Sequence, residues 1–466
     1  MLETAKQEKL YKQYQSQDDT VRIDESELKK MNRPFTPLGK IFSLITIVLL
    51  IFAISRYTAR SEYLYALGGM MLAWLLIKQA LALFYRPSKA ELTQDYKVSV
   101  ILTCYNEQPS AIVSVLENIL ALDYPVHEVL FLDDGSKEPL AYEVAKSFAE
   151  DHKDIPNAPK FQIIRFAENR GKRAVMMDGF LKASGDYLFM LDSDCEILPN
   201  ALTELLRPFE DGKTTSVVGN IGVLNRRKSI LTRLQSITYF GAFQLGRAAQ
   251  SVTGNVIICS GAFSLHKKEF ILDHLEEFED VKFCGIRCSS GDDRSLTALS
   301  RLSGGKTRYQ NTAYCETVVP DKWKTFQKQR RRWQRSGYLG SLKAIRMMVF
   351  KRPLFSFWSF AEAYFWLIAT VLFILAIRQR GFYIDIVDIV AYYIVIAYKQ
   401  NIFYLFYKPL RFIIAPLYLF VYGVSLTITR IHAIVTILND DWGTRQTKEE
   451  KAFPQVTETT DQKTVA

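Results

Sequence analysis

The stretch of sequence that decides the fold is YLFMLDSD, from Tyr187 to Asp194. Its apolar part, Tyr187 to Leu191, is typical of a strand buried on both faces, and it runs directly into two aspartates. A second stretch has the same design, since the run Glu128–Leu132 continues into Asp133-Asp134-Gly135-Ser136. Carboxylates on loops that follow buried strands suit a hard metal ion or a nucleotide. An Asp-Gly pair after a strand is more often only a turn, so neither stretch establishes a binding site by itself.

Strand-like and helix-like segments alternate around these two stretches. Such alternation predicts an α/β domain over residues 96–319, with a mostly parallel sheet, helices on both faces, and ligands at the carboxyl ends of the strands. The periodicity predicts strands at Val98–Leu102, Glu128–Leu132, Ile163–Phe166 and Tyr187–Leu191, and helices at Ala111–Ala121 and Arg173–Ala183.

Charged and apolar residues are segregated along the chain. The 466 residues are 48% hydrophobic and carry a formal charge of +10. Their segregation excludes a uniform soluble globule, and the apolar content excludes disorder over most of the chain. The positive-inside rule explains the basic residues beside apolar segments more simply than nucleic-acid binding does. Five segments are candidates to cross or enter a membrane, namely Pro37–Ser55, Tyr63–Tyr85, Leu354–Ile377, Phe382–Tyr398 and Phe412–Leu438.

This segregation also predicts the domain organisation. All six Cys residues lie between residues 104 and 315, which fits a reducing, cytosolic α/β domain. Inside the apolar segments, Lys78 can extend towards the membrane surface, and Glu362 can either pair within the bundle or line a polar path. The predicted parts are a polar cytosolic tail (1–36), a transmembrane hairpin (37–86), the cytosolic domain (96–319), amphipathic interfacial helices (320–352), a transmembrane or re-entrant region that forms a channel (354–438), and a cytosolic segment and tail (439–466).

Two further motifs follow the predicted strands. One is Ser290-Gly291-Asp292-Asp293-Arg294, which leads into a helix start. The other is Gln329-Arg330-Arg331-Arg332-Trp333. A basic interfacial helix would explain the arginines of the second motif, but it does not explain the Gln and the Trp beside them. The guanidinium fork suits a pyrophosphate, and an indole suits the apolar face of a sugar.

Three acidic loops and a Gln-x-x-Arg-Trp motif, flanked by apolar segments, form a specific combination over residues 37–445. It resembles the membrane-embedded processive family 2 glycosyltransferases, which are the hyaluronan, chitin and cellulose synthases, and within them it looks most like the bacterial class I hyaluronan synthases. This chain departs from their pattern at Ala174 and at Ala262-Phe263, both expected near the sugar-reading surface. The stretches that carry the resemblance are Ala248–Asn255, Cys259–Gly261, Gly291–Thr297, Val319–Lys322 and Trp442–Arg445.

The resemblance implies a GT-A-type (Rossmann-like) α/β domain inserted between transmembrane α-helices of the plasma (inner) membrane. It implies an inverting enzyme that polymerises UDP-sugars with Mg²⁺ or Mn²⁺ and secretes the polysaccharide through its own channel. Expected partners are UDP-sugar donors, the growing polysaccharide and membrane lipid, and no nucleic acid. Hyaluronan from UDP-GlcNAc and UDP-GlcA is the first product expected. Alternatives are a homopolymer, either a β-glucan from UDP-glucose or a chitin-type chain from UDP-GlcNAc, a single transfer to a lipid carrier, or a non-enzymatic membrane channel.

The resemblance also assigns residues to the donor. Tyr105 is expected to stack on the uridine, and Asp194 is expected to hold the metal ion, with Asp192 placing either the ion or the ribose. Trp442 and Arg445 are expected to gate the nucleotide pocket, although an interfacial Trp anchor is the alternative for Trp442. The complete predicted nucleotide-sugar site is Tyr105, Glu107, Asp134, Lys172, Asp192, Gln329, Arg332, Trp442 and Arg445.

On the acceptor side, inversion by a single displacement needs one base near the acceptor hydroxyl. Asp293 is expected to be that base, and burial near Asp292 is expected to raise its pKa. Trp333 is expected to support the acceptor sugar, while Ser260 and Gly261 line the rim. The predicted acceptor-binding residues are Ser260, Gly261, Asp292 and Trp333.

The last apolar segment presents a conflict of topology. If the terminal Trp-Gly-Thr-Arg meets a cytosolic nucleotide, an even number of crossings must precede it. Residues 412–438 are too short for two crossings of about 20 residues each. We therefore expect this segment, which contains Pro416 and Gly423, to lie in the interface or to re-enter the membrane.

Overall fold

The computed structural model describes residues 62–279, 282–283, 286–287, 291–380, 401–414 and 427–437, together with residues 10, 12, 23 and 417. Several predictions concern residues outside these ranges. They are the tail and first apolar segment (1–55, apart from three single residues), the segment Phe382–Tyr398, residues 415–416, 418–426 and 438 of the last apolar segment, and the stretch from Trp442 to Arg445.

One sheet of eight strands organises the α/β domain, in the order β3-β2-β1-β4-β7-β6-β10-β5. The half from β3 to β4 is parallel, as the sequence predicts. The other half is mixed, because β7 runs antiparallel to both β4 and β6, and β5 runs antiparallel to β10. The strands are β1 Val98–Cys104, β2 Glu128–Asp133, β3 Lys160–Arg165, β4 Tyr187–Asp192, β5 Cys195–Ile197, β6 Thr214–Val223, β7 Phe263–Lys267, β8 Lys282–Phe283, β9 Ile286–Arg287 and β10 Lys306–Thr317, of which β8 and β9 pair separately.

Each of the four predicted strands is present, with shifted ends. The third starts earlier and ends at Arg165, so Phe166 follows it. The others extend by one or two residues, and Asp133 and Asp192 therefore pair as the last residues of β2 and β4. The backbones of these two aspartates thus belong to the sheet rather than to a loop, and the sheet fixes the positions from which their side chains extend.

Helices cover the sheet and continue beyond it. The two predicted helices are present at slightly different bounds, and Pro109 occupies a first-turn position that suits its missing N–H. The helices are α1 Glu62–Phe84, α2 Pro109–Leu120, α3 Leu140–His152, α4 Lys172–Lys182, α5 Ala201–Leu206, α6 Ile230–Phe240, α7 Ala248–Val252, α8 Lys268–Asp273, α9 Leu275–Glu279, α10 Asp292–Leu302, α11 Trp323–Met348, α12 Pro353–Arg380, α13 Ile402–Tyr407 and α14 Pro409–Phe412, with a 3₁₀ turn at Arg207–Asp211 and a π-helix at Gly241–Arg247.

The central strands are buried on both faces. In β1, Val100 and Leu102 pack into one core cluster, whereas Ile101 packs into the other. The same alternation holds in β2, where Phe131 joins the first cluster and Leu130 the second. A strand that is apolar on both faces needs a helical layer on each side, which explains the continuous apolar run in the sequence.

The end of α1 is attached to the last long strand of the domain. The Tyr85 hydroxyl donates to the Tyr309 carbonyl oxygen at 2.9 Å. Ser88 and Gln310 exchange two hydrogen bonds, from the Ser88 N–H to Gln310 Oε1 (3.0 Å) and from Gln310 Nε2 to the Ser88 carbonyl (2.9 Å). We call these contacts the α1–β10 attachment. It fixes the position of α1 relative to the sheet.

The apolar helices pack against each other. Among the described residues, one stretch, Pro353–Leu372 of α12, is long and apolar enough to cross a membrane. Trp74 of α1 packs against Trp358 of α12, with ring centroids 4.8 Å apart. Lys78 of α1 lies 3.4 Å from the Glu362 carboxylate of α12. The structure therefore favours the interhelical pair among the alternatives that the sequence leaves open for these two charges.

Candidate active site

The acidic residues predicted from the sequence collect at the carboxyl edge of the parallel half-sheet. Asp133 ends β2 and is fully buried, and Arg165 of β3 donates to its carboxylate at 3.1 Å. The Ser136 hydroxyl and N–H also donate to Asp133. The Asp133 carboxylate thus ties both β3 and the turn after β2 to the end of β2.

Asp134 fastens a second loop to the same edge. Its two carboxylate oxygens accept the backbone N–H groups of Arg170 (2.7 Å) and Gly171 (3.0 Å). Burial raises the pKa of Asp134 to about 6, although these two hydrogen bonds lower it. Gly135 has a φ of +65°, and a Cβ there would lie 2.5 Å from the backbone of Glu168, so only glycine fits.

Tyr105 and Glu107 lie on the loop after β1, beside this edge. Tyr105 is buried and Glu107 is half-buried. The loop is tied to the turn after β2, because the Asn106 N–H donates to the Ser136 hydroxyl at 2.8 Å and its side-chain oxygen accepts the Lys137 N–H at 2.9 Å. The structure therefore brings Tyr105, Glu107 and Asp134 to one side of the sheet edge, as predicted.

Lys172 and the two aspartates after β4 form the next part of the site. Lys172 Nζ lies 2.7 Å from Asp192 Oδ1. Partial burial would lower the pKa of Lys172, but the Asp192 and Asp292 carboxylates raise it above its ordinary value. The lysine therefore stays charged between an acid of the β4 loop and an acid of the Gly-Asp-Asp motif.

Asp194 is surrounded by an excess of negative charge. Burial, followed by the charges of Asp192 and Glu107, raises its pKa to about 7. The Thr317 hydroxyl donates to Asp194 at 3.2 Å and partly opposes this shift. Carboxylates held close together with so little compensation suit a bound cation.

The Gly-Asp-Asp motif starts α10 beside the same edge. Arg173 Nε donates to Asp292 Oδ1 at 2.7 Å, and both side chains are nearly buried. The neighbouring residues Lys172 and Arg173 thus reach two different acids, Asp192 and Asp292. The first turn of α4 thus connects the predicted donor side to the predicted acceptor side.

Asp293 faces the predicted acceptor rim. A Cβ placed on Gly261 would lie 3.9 Å from Asp293 Cβ, so the two residues are in direct apposition. The Thr297 hydroxyl donates to the Asp293 carbonyl (2.7 Å) and accepts the Cys259 N–H (2.8 Å). Burial raises the pKa of Asp293, and the neighbouring Asp292 charge adds to that effect. The predicted base and the loop that carries Ser260 and Gly261 therefore form one unit.

The Gln-x-x-Arg-Trp motif lies on α11. Gln329 Oε1 is buried and has no hydrogen-bond partner in the described part of the chain. Trp333 is 38% exposed, and the Arg330 guanidinium lies 4.7 Å from its ring centroid. The charge of Arg332 acts on Lys172, which places Arg332 beside the donor side. Trp442 and Arg445 of the predicted gate lie outside the described residues.

One expected specificity position is instead a core position. Phe263 is fully buried in β7, and its ring centroid lies 5.8 Å from that of Phe189. Its ring cannot contact a sugar, so the expectation that Phe263 lies at the sugar-reading surface is wrong. The neighbouring Ala262 keeps a place at the site through its backbone, because its carbonyl oxygen accepts the Asp192 N–H at 3.3 Å.

Sequence reasoning missed several residues that hold the site together. Arg173 follows the predicted Lys172 directly, but its partner Asp292 is 119 positions away. Thr317 is an ordinary residue in sequence, and Thr297, although it ends the stretch Gly291–Thr297, has no predicted role. The basic pair Lys172-Arg173 before a predicted helix was the one available signal, since two adjacent cations can serve two anionic partners.

The residues present suit a divalent metal ion only with help from a ligand. In the part of the chain that the structure describes, no group of three or more His, Cys, Asp or Glu side chains is arranged to hold a metal. Asp192 and Asp194 could supply two ligands, and the charges of Asp192 and Glu107 add to the effect of burial in raising the pKa of Asp194. Oxygens of a diphosphate would complete the coordination of a hard cation.

Comparison with known proteins places this site in a family. Residues 99–270 match glycosyl transferase family 2, and residues 187–429 match glycosyl transferase family group 2. The chain is 31% identical to hyaluronan synthase of Streptococcus pyogenes serotype M1 over 409 residues, which cover 87% of this chain and 96% of that protein. It is 30% identical over 252 residues to an N-acetylglucosaminyltransferase of Mesorhizobium japonicum, covering 54% of this chain and 58% of that protein.

A solved structure shows the same fold. It is the mannosyltransferase PcManGT from Pyrobaculum calidifontis, determined in complex with GDP-Man and Mn²⁺. The TM-score is 0.57 at 20% sequence identity, and the match covers 83% of this chain and 99% of that one. This likeness confirms the predicted GT-A-type (Rossmann-like) α/β domain, whose sheet combines the predicted parallel half with a mixed half.

Proposed function

The chain belongs to the family 2 glycosyltransferases, and we propose that it is a processive, inverting enzyme that polymerises UDP-sugars and secretes the polysaccharide through its own membrane channel. The product we propose is hyaluronan, made from UDP-GlcNAc and UDP-GlcA. The similarity to hyaluronan synthase over nearly the whole length of both chains supports this product. The long apolar helix α12, packed on α1, supports a location in the membrane.

In the proposed reaction, the acceptor hydroxyl attacks the anomeric carbon of the donor sugar. The new glycosidic C–O bond forms as the bond between the anomeric carbon and the phosphate oxygen breaks, and UDP leaves. Asp293 takes the proton of the attacking hydroxyl, since it is the acid in apposition to the acceptor rim at Gly261. A raised pKa makes its carboxylate a better proton acceptor than an ordinary aspartate.

The leaving UDP carries negative charge that must be compensated in the transition state. We expect Lys172 and Arg332 to meet the phosphates, and Tyr105, Glu107 and Asp134 to hold the uridine. Asp194 and Asp192 would hold a divalent ion, which when bound supplies charge stabilisation to the leaving group. The related fold was determined with GDP-Man and Mn²⁺, which supports a nucleotide-sugar and a divalent ion here.

One observation carries the proposal. Adjacent cations, Lys172 and Arg173, connect Asp192 of the predicted donor side to Asp292 of the predicted acceptor side. A donor pyrophosphate near Lys172 would therefore lie next to Asp293 and the rim at Gly261. A single displacement needs the leaving group and the base on opposite sides of the reacting carbon, and we propose that a sugar bound between Lys172 and Asp293 meets this requirement.

A homopolymer of GlcNAc is the second candidate. The match to an N-acetylglucosaminyltransferase over 252 residues favours GlcNAc as at least one of the sugars. The single predicted transferase domain would then use one donor only.

The test is turnover of defined donors by the purified protein in detergent with Mg²⁺ or Mn²⁺. UDP-GlcNAc, UDP-GlcA and UDP-glucose are supplied singly and in pairs, and UDP release and product mass are measured. High-mass product only with UDP-GlcNAc plus UDP-GlcA would establish hyaluronan. Polymer from UDP-GlcNAc or UDP-glucose alone would replace hyaluronan by a homopolymer. Absence of UDP release with every donor would contradict the proposed activity.

A further inference from the structure

Arg294 follows the proposed base and contacts it directly. Its backbone N–H donates to Asp293 Oδ1 at 2.8 Å. Its side chain leaves α10 and runs along α11, where Nη1 lies 3.4 Å from the Ser341 hydroxyl. One residue therefore joins the carboxylate of Asp293 to the helix that carries the Gln-x-x-Arg-Trp motif.

A glycine on α11 makes room for this side chain. A Cβ on Gly340 would lie 2.5 Å from Arg294 Cδ, which is closer than real Cβ atoms come to a neighbour. Glycine in a helix interior costs about 1 kcal/mol relative to alanine. Gly340 lies well inside α11, so its helix position gives no reason for glycine and the contact with Arg294 does. We call Gly340 and Ser341 the Arg294 seat.

The motif touches α11 at a second point. Gly291 has a φ of +92°, and a Cβ there would lie 2.2 Å from the Ser336 hydroxyl oxygen. Residues on both sides of the Asp292-Asp293 pair thus rest against one stretch of α11, between Ser336 and Ser341. The residues from Ser336 to Ser341 of α11 therefore set the position of the Asp292-Asp293 pair.

Arg294 and Asp293 are coupled by charge as well as by geometry. Burial lowers the pKa of Arg294, and the Asp293 carboxylate opposes this effect. The guanidinium in turn lowers the pKa of Asp293, against the larger effect of burial. Glu362 of α12 is close enough for its charge to act on the same guanidinium. Any displacement of Arg294 would therefore change both the direction and the proton affinity of the Asp293 carboxylate.

We propose that Arg294 is a positioning residue, which by resting in the Arg294 seat on α11 holds the Asp293 carboxylate towards the acceptor rim at Gly261. The inference rests on the proposed function, in which Asp293 is the base. Arg294 acts through Asp293 and the helix, and it touches neither the donor nor the transferred sugar.

The test compares two glycine substitutions on α11, Gly340→Ala and Gly337→Ala. The added methyl of Gly340→Ala displaces Arg294, whereas a Cβ on Gly337 meets Arg294 Nη2 at an ordinary 3.5 Å. We expect Gly340→Ala to lower kcat for UDP release by about 10- to 100-fold, as misplacement of a reacting group by about 1 Å does. KM for each donor should stay within about twofold of wild type. Gly337→Ala should match wild type in both parameters.

The pH profile separates positioning from a loss of folding. Displacing the guanidinium removes a charge that favours the Asp293 carboxylate, so the acidic limb of the kcat profile should move to higher pH in Gly340→Ala. A folded fraction that was merely smaller would lower kcat without moving that limb. An unmoved limb, or a Gly340→Ala kcat equal to wild type, would overturn the inference.

A double-mutant cycle covers the case in which Gly340→Ala folds poorly. Arg294→Ala removes the side chain that the methyl strikes, so Gly340→Ala should cost no further activity in the Arg294→Ala background. Additive losses would show that Gly340 acts elsewhere and would overturn the inference. Wild type is measured beside every variant: its failure to release UDP from any donor would refute the proposed function, and the inference with it. If wild type is active and Gly340→Ala has no effect on activity, the inference is refuted while the proposed function stands.

Discussion

Two Asp-Asp pairs lie at the same edge of the sheet, and they are held in opposite ways. In the pair Asp133-Asp134, fixed donors meet every carboxylate: Arg165 and Ser136 for Asp133, and two loop N–H groups for Asp134. In the pair Asp292-Asp293, Arg173 meets Asp292, whereas the Asp293 carboxylate accepts one hydrogen bond among the described residues, from the N–H of Arg294. The dipeptide is identical, and the number of fixed donors differs.

The difference teaches how to separate an acid that holds structure from one that is available for chemistry. A carboxylate whose oxygens already accept backbone N–H groups organises loops, and a proton would disrupt those bonds. A carboxylate with spare acceptor capacity beside an open rim can take a proton from a substrate. Asp134 can still contact a uridine with its remaining lone pairs, but its first effect is to order the loop at Arg170 and Gly171.

The largest expected effect is on activity, and it distinguishes the pair Asp292-Asp293 from the pair Asp133-Asp134. Asp293→Asn should lower kcat for UDP release by about 10³-fold, because a general base contributes about 10²- to 10⁴-fold. The thermal midpoint should stay close to that of wild type, since the amide can still accept the Arg294 N–H. Rates of UDP release and midpoints are measured on the same preparations. Retention of more than a tenth of the activity would break the assignment of the base.

The second prediction concerns stability at the other pair. Asp134→Asn places an amide NH₂ against one of two loop N–H groups, so one buried donor loses its acceptor. We expect the variant to be less stable than wild type by about 1–3 kcal/mol near pH 4.5. Thermal unfolding measures this difference. Asp178→Asn is the matched control, because it removes a half-exposed partner of Arg170 and should change stability by less than about 0.5 kcal/mol.

The pH dependence of that stability has a definite sign. Burial raises the pKa of Asp134 from 3.8 to about 6, so the folded state binds this proton more tightly than the unfolded state. The wild-type advantage over Asp134→Asn should therefore be full below pH 4 and shrink by up to about 3 kcal/mol as pH rises through 6. Thermal midpoints of both proteins from pH 4 to 8 test it. A gap that widens with pH would contradict the raised pKa.

A pH profile of activity sharpens the comparison further. Catalysis needs the ionised form of Asp293, so kcat should fall about tenfold per pH unit below its pKa. Because burial raises that pKa, the fall should start above the ordinary aspartate value of about 3.9. Initial rates over short times, with unfolding followed separately, isolate this limb from the stability change at Asp134.

The smallest effect concerns the link between the base and the acceptor rim. Thr297→Val removes the hydroxyl that bridges the Asp293 carbonyl and the Cys259 N–H. We expect a loss of about 3- to 10-fold in kcat and of about 1 kcal/mol in stability, as for one net hydrogen bond. Thr297→Ser should restore both, since it keeps the hydroxyl. A loss in Thr297→Ser with none in Thr297→Val would point to the methyl group instead.

Much of the parallel half-sheet could be predicted, because β1, β2 and β4 are largely apolar runs and the last two end at acids. The mixed half could not, since β10 is 12 residues long and rich in polar side chains, as in KTRYQNTAYCET. Ala262-Phe263 is expected near the sugar-reading surface, yet Phe263 begins β7, which is inserted antiparallel between β4 and β6 and is buried. Strand order depends on contacts between distant segments, which local periodicity does not encode.

The residues of the site also divide into those that could be predicted from the sequence and those that could not. Residues in motifs, such as Lys172, Asp192 and Asp293, could be named from the sequence, and the structure brings them together, while their roles stay predictions. Arg173, Thr297 and the Arg294 seat could not be named, because each matters only through a partner on another element. A pattern identifies chemically capable residues, whereas tertiary packing decides which atoms hold them.

The α1–β10 attachment has a consequence for the order in which this protein is made. Ser88 finds its partner Gln310 only across 222 positions of chain. At about 5–20 residues per second, a ribosome needs roughly 10–45 s to synthesise that interval. Throughout this time, the end of α1 has emerged while its docking strand does not yet exist. Attachment of α1 to the sheet is thus among the last events of biosynthesis, and a nascent chain stalled before residue 310 would carry an unfinished, unanchored domain.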